Sequence, residues 1–161
     1  MRKSRTEKLY NKASSNRSDL SLCMPTLSKG HNTSAVIRSA EVFAVKNIYV
    51  IGKKFRAEAA TVGAHNWVDL CQVPTYDEFF KIMKGRPIIA AHVRGNILLD
   101  DFIWPADPVL LIGHEGGFAQ KVLDNVDYTI CIEQQGNSES LNVSTAAGII
   151  LYHHRTQYNR R

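Results

Sequence analysis

Short apolar runs rich in β-branched residues recur along the chain: Leu20 to Met24, Asn47 to Ile51, Val68 to Val73, Ile88 to His92, Val109 to Ile112 and Tyr128 to Ile132. Each is strand-length, and their near-continuous apolar character predicts burial on both faces. Helical patterns fill the intervals. Ser34 to Val45 puts Val36, Ala40 and Phe43 on one stripe; Thr75 with Glu78 forms a capping box opening a helix toward Lys84; Ala119 to Val126 follows a glycine pair; Ser144 to about Tyr158 closes the chain. Alternation of this kind predicts an α/β fold, a mostly parallel sheet with helices on both faces.

At 161 residues and 44% hydrophobic composition the chain can bury one core, so a single domain is expected over residues 20–161, preceded by a basic arm over residues 1–19. Lys12 to Asp19 reads as linker, and no repeat or low-complexity segment appears. No run approaches the roughly 20 apolar residues of a membrane span, and the first 20 residues lack a signal-peptide core, so a cytoplasmic protein is expected. Cys23, Cys71 and Cys131 are odd in number and lie in apolar runs, which predicts three buried thiols. The Asn-x-Ser sequences at Asn32 and Asn142 therefore carry no glycosylation reading. A net charge of +5 inclines the chain toward a polyanion. The cations crowd its two ends: Arg2, Lys3, Arg5, Lys8, Lys12 and Arg17 at the front, Arg155, Arg160 and Arg161 at the back.

Ligands of an open parallel sheet bind beyond the carboxyl ends of its strands, which directs attention to three loops: His92 to Gly95, Gly113 to Phe118 and Glu133 to Asn142. Neither a dinucleotide-binding glycine fingerprint nor a phosphate-binding P-loop occurs. His114-Glu115 begins like a zinc-protease motif, but Phe118 stands where the second histidine is needed, so no metal is expected. Adjacent on a helix, His153 and His154 point apart and read as surface residues. Gly113-His-Glu115-Gly-Gly117-Phe118 joins a strand to a helix through three glycines and one carboxylate, and is either a tight turn or a ligand cradle. Ser140 and Asn142 either cap the last helix or bind a polar substrate there. Arg38, one turn inside a helix that starts near Asn32, is either a solvated arginine or a phosphate or oxyanion holder.

In order and separation, these segments resemble the three signature motifs of the SpoU/TrmH branch of the SPOUT methyltransferases. The first is Asn32 with Arg38-Ser-Ala-Glu-Val-Phe43, the second Gly113 to Phe118 with Asp127 and Ile132, the third Ser140-Leu-Asn142-Val-Ser144. Gly63-Ala64 with Trp67 resembles the segment between the first and second, and the likeness runs from Cys23 to Gln157. It implies a homodimer with a trefoil knot near the carboxyl end, which uses S-adenosyl-L-methionine to methylate a ribose 2′-hydroxyl in RNA, transfer RNA before ribosomal RNA. Cofactor contacts would then fall on Ala91, His92, Gly113, Gly117, Ile132, Gln134, Ser140 and Leu141. Arg38, Asn32, Glu115, Ser140 and Asn142 would form the catalytic set. A catalytically silent, RNA-binding subunit of the same fold is the alternative. The chain departs from the pattern at Thr33-Ser34 and Ala44, where the family commonly has glycine, and at Glu133-Gln134, where proline and methionine are frequent.

Overall fold

A computed structural model of the chain describes residues 17–53, 63–114 and 116–160. Seven strands form one sheet in the order β3-β2-β1-β6-β4-β7-β5. They are β1 (Ser21–Pro25), β2 (Asn47–Ile51), β3 (Asp69–Val73), β4 (Ile88–Ala91), β5 (Ile97–Leu98), β6 (Val109–Ile112) and β7 (Tyr128–Cys131), and every pairing is parallel. The α/β parallel architecture expected from the alternation is therefore what forms, with helices on both faces.

Side chains leave each strand alternately to opposite faces, and two cores result. One face gathers Leu22, Met24, Ile48, Ile89, Leu110 and Ile112 under α1 (Gly30–Val42) and α4 (Val143–Tyr158). The other gathers Cys23, Ile51, Ala90, Val109 and Leu111 under α2 (Tyr76–Ile82) and α3 (Gln120–Leu123). Leu110 and Leu111, neighbours in β6, are both fully buried, one in each core. Burial of each such leucine is worth about 1.5–3 kcal/mol, and β4 and β6 accordingly carry no polar residue.

The amino ends of the strands are stapled by polar side chains. Arg86, just before β4, donates to the Ser21 hydroxyl (3.0 Å) and to the Asp107 carboxylate (3.0 Å), joining β1, β4 and β6. Asp127 accepts from the Ile88 amide at 2.7 Å and joins β7 to β4. Asp19 accepts from the Asp107 amide at 2.9 Å and lies 3.3 Å from the imidazole of His154 on α4.

Several expectations are corrected. β5 went unread because two residues show no periodicity. The helix expected over Ala119 to Val126 shrinks to Gln120–Leu123, and α1 starts at Gly30 instead of Ser34. Of the cysteines only Cys23 is buried, and burial pushes its thiol well above the usual range. Cys71 is exposed because β3 is an edge strand with one open face; Cys131 is half-buried, its thiol directed at the carbonyl of Gly95 at 3.3 Å. His154 is buried, not on the surface, packed edge-on against Trp104; half-buried His153 accepts from the Trp104 indole at 3.1 Å. Burial lowers the His153 pKa, against a smaller upward pull from Asp100. Of the amino-terminal arm and linker, residues 1–16 lie outside the described part. Arg17 donates to the Val45 and Trp67 carbonyls, and Ser18 is buried.

α1 ends in a Schellman motif: the Val45 amide bonds to the Ala40 carbonyl and the Ala44 amide to the Glu41 carbonyl, both at 2.9 Å. That ending requires a left-handed residue, and Ala44 supplies it at φ 54°. Its Cβ costs about 1–2 kcal/mol in this region, more than glycine's extra freedom in the unfolded chain. Ala44→Gly is expected to stabilise the fold by about 1 kcal/mol, seen as a rise of about 2–4 °C in thermal unfolding; no rise, or a fall, would show that the alanine is not strained.

Candidate active site

The sheet order brings the carboxyl ends of β1, β6, β4 and β7 side by side, so loops distant in sequence share one rim. From β1 the chain runs into α1, whose first turn holds Asn32, Thr33 and Ser34, all buried. The Thr33 hydroxyl accepts from the Leu27 amide at 3.3 Å, tying that turn to the preceding loop. The Ser34 hydroxyl is buried with no hydrogen-bond partner among the described residues.

Asn142 is the N-cap of α4. Its side-chain oxygen accepts from the amides of Ser144 (2.9 Å) and Thr145 (3.4 Å) and from the Ser144 hydroxyl (2.6 Å). The side-chain amide is left free to donate elsewhere, and it reaches the Asn32 side-chain oxygen at 3.2 Å. One asparagine therefore closes the last helix and binds it to the first across 110 residues of chain. Of the two readings of Asn142, the helix cap is the one that forms. Ser140 makes no cap and is exposed in the run from Glu133 to Asn142.

Arg38 is exposed on α1. At about 100° per residue it lies about 120° around the helix from Asn32, so Asn32 faces α4 while Arg38 faces outward. Among the described residues it forms no ion pair. Glu115 lies outside the described residues.

The positions expected to hold the cofactor lie on the loops that follow β4, β6 and β7. Ala91 pairs with Ile112 and Ile130, and the His92 amide bonds to the Ile130 carbonyl at 2.9 Å. A Cβ on Gly113 would come within 3.1 Å of the Phe118 ring and 3.2 Å of the Gly117 backbone, so the second loop folds tightly over this position. Gly117 sits at φ 82°, and a Cβ on it would lie 3.9 Å from the His92 imidazole nitrogen. The loops after β4 and β6 thus abut. Ile132 is half-buried against the core, whereas Gln134, Ser140 and Leu141 are exposed on the long loop from β7 to α4. Sequence reasoning missed the Asn32–Asn142 contact, whose only trace was the presence of an amide in both motifs.

The sequence profile of the SpoU rRNA methylase family matches residues 19–152, and the chain belongs to that family. It is 32% identical over 146 residues to the tRNA (guanosine(18)-2′-O)-methyltransferase of Escherichia coli, covering 86% of this chain and 64% of that protein. The same-named enzyme of Aquifex aeolicus is 30% identical over 86% of this chain and 70% of its own length. In structure, the Aquifex aeolicus TrmH/SpoU tRNA modifying enzyme superposes with a TM-score of 0.88 at 28% identity, over 97% of this chain and 83% of that one. The methyltransferase AviRb of Streptomyces viridochromogenes, in complex with AdoMet, gives 0.78 at 25% identity, over 91% and 60%. The chain thus spans just under two thirds of the length of the Escherichia coli relative.

Asn142→Ala removes the cap and should cost about 1 kcal/mol, a fall of about 2–4 °C in melting temperature. Asn142→Asp keeps the acceptor and adds a favourable charge at the helix start, so melting should return to the wild-type value although the donor to Asn32 is gone. If both variants melt alike, the cap is not what Asn142 contributes to stability.

Proposed function

We propose that this protein transfers the methyl group of S-adenosyl-L-methionine to a ribose 2′-hydroxyl of RNA, transfer RNA being the favoured substrate, and that it works in the cytoplasm as a homodimer. The observation that carries this reading is the Asn142–Asn32 hydrogen bond, which joins the third motif to the first beside the paired loops after β4 and β6. The residues suit the cofactor: Gly113 and Gly117 let backbone approach a ligand where a side chain would block it, and Ile132 and Leu141 offer apolar contact to an adenine. When bound, the sulfonium supplies an electrophilic methyl carbon without a metal. No group of three or more His, Cys, Asp or Glu with metal-binding geometry occurs among the described residues.

Alignment of the ribose oxygen with the methyl carbon is then the protein's main task. The ribose oxygen would take the methyl group as the donor's carbon–sulfur bond breaks, and its proton would pass to water or an RNA phosphate. The Arg38 guanidinium stabilises the developing alkoxide or holds the neighbouring phosphate. Asn32, fixed by Asn142, positions the first turn of α1, and Ser140 and Glu115 complete the set.

Two further features support the assembly. β7 lies between β4 and β5, so the chain joining β4 to β5 must pass around it, a topology compatible with the knot implied by the family resemblance. Val42, Ile149 and Tyr152 stand 65%, 40% and 60% exposed on the outer side of the α1–α4 pair, with Phe43 edge-on to Tyr152 at 6.0 Å. An apolar surface of this kind suits a second copy of the chain.

Incubation with methyl-labelled S-adenosylmethionine and unmodified transfer RNA should place label in a ribose-methylated nucleoside. Arg38→Ala should lower the rate by at least about 100-fold, the scale for losing a donor to a developing oxyanion. Cofactor binding without labelling of any RNA would favour the silent RNA-binding subunit. Tyr152→Glu should shift sedimentation from dimer to monomer, weakening association at least about tenfold while circular dichroism is unchanged; a wild-type monomer at micromolar concentration would refute the assembly.

A further inference from the structure

We propose that the carboxyl rim of the sheet carries a linear phosphate track, Lys53–Lys29–Arg94, along which the RNA backbone runs past the methylation site, with Arg94 as its fixed end. The inference rests on the RNA-methylating reading and adds to it the path and polarity of the substrate. Strand order is the first observation. β2, β1, β6 and β4 are consecutive in the sheet, and the loops that follow them carry Lys53, Lys29, His114 and Arg94 in that order. Strands lie about 4.8 Å apart, so the row spans about 14 Å, enough to follow several phosphates of a strand whose charges fall about every 3.4 Å along its axis.

Charge segregates between the two ends of the sheet. Asp19, Asp69, Asp107 and Asp127 stand at or just before the amino ends of β1, β3, β6 and β7. Of the cations at that end, Lys46 and Arg86 are both paired with Asp107, at 3.4 Å and 2.9 Å, and Arg17 is held by the Val45 and Trp67 carbonyls. At the carboxyl end Lys29, Lys53 and Arg94 are exposed, and among the described residues none of them forms an ion pair. The loops that carry these three cations (26–29, 52–53 and 92–96) include no acid; the acids of that rim, Glu115, Glu133 and Glu139, belong to the loops after β6 and β7. A cation already neutralised by a neighbour gives up that pairing to bind phosphate; an unpaired one does not.

These cations also sit on backbone that is held in place. The Thr26 hydroxyl donates to the Lys53 carbonyl at 2.7 Å, and the Gln72 amide donates to the Gly52 carbonyl at 2.9 Å, so the turn after β2 is tied to both neighbouring strands. The Arg94 amide donates to the His92 ring nitrogen at 3.2 Å, the Gly95 amide to the His92 carbonyl at 3.0 Å, and the Asn96 amide to the Thr129 hydroxyl at 3.1 Å. A Cβ on Gly95 would stand 2.4 Å from the Ile130 backbone, so this turn is pressed against β7 with no slack. A guanidinium on such a turn, beside the His92–Gly117 contact, loses little backbone entropy on binding and can hold a phosphate bidentately.

The test measures transfer RNA binding by fluorescence anisotropy across a salt series, with S-adenosylmethionine binding followed separately by calorimetry. Arg94→Ala, Lys29→Ala and Lys53→Ala should each weaken RNA binding about three- to tenfold and reduce the slope of log K against log salt by about one, with cofactor affinity unchanged. Arg94→Lys should restore the slope, and Lys46→Ala, at the amino end, should leave it at the wild-type value. Unchanged slopes in the three rim variants, or an equal loss in Lys46→Ala, would overturn the track. Wild-type protein that binds cofactor but no RNA would overturn it too, and failure to bind cofactor would instead strike the methyl-transfer reading itself.

Discussion

Strand β6 sits between β1 and β4, and the rest of the molecule is arranged around that insertion. Its backbone bonds to both neighbours, pairing Val109 with Ser21 on one side and with Ile88 on the other. Leu110 and Leu111 each enter a different core. Because every pairing is parallel, all strands end on the same rim, and the loops after β1, β6, β4 and β7 become neighbours although they derive from four separate stretches of chain. A polar residue within β6 would leave an unsatisfied group in whichever core it enters, beneath the strand on which these loops depend. Arg86 and Asp107 brace the amino end of the same three strands, so the rim is positioned from below by a clamp that never touches it.

On that rim the helices are fixed by economical chemistry. Asn142 uses its oxygen to cap α4 and its amide to grip Asn32, and no aspartate or serine could do both, since the first lacks the donor and the second the reach. Gly95 acts through space: a Cβ there would collide with the Ile130 backbone, so the loop after β4 can close only as it does, and Gly113 lies under a tightly folded loop. The run from Glu133 to Leu141 is exposed throughout, so Glu133 and Gln134, its departures from the family pattern, disturb no packing.

The electrostatic asymmetry has the same origin. Aspartates at the amino ends of strands accept from backbone amides there, as Asp127 does from Ile88 and Asp19 from Asp107, while cations at the carboxyl ends have no such duty and remain available. Structural need and free positive charge are thus divided between opposite ends of one sheet.

Much of this was legible in the chain. The strands Asn47–Ile51 and Val109–Ile112 were readable to the residue because their apolar runs are bounded by polar or proline neighbours, and the Thr75 cap was evident from its spacing to Glu78. The motifs identified the family because backbone-made sites demand glycines and amides in fixed order. Local pattern could not supply what depends on neighbours in space. Cys71 is exposed because its strand lies at an edge, and His154 is buried because Trp104 and Asp19 arrive from elsewhere in the chain. For the same reason the Asn32–Asn142 contact and the row of cations along the rim follow from strand order alone. Periodicity determines what each segment is and which side it buries; only tertiary pairing decides which loops become neighbours, because that choice depends on contacts between residues far apart in the chain, such as Asn32 and Asn142, 110 positions apart.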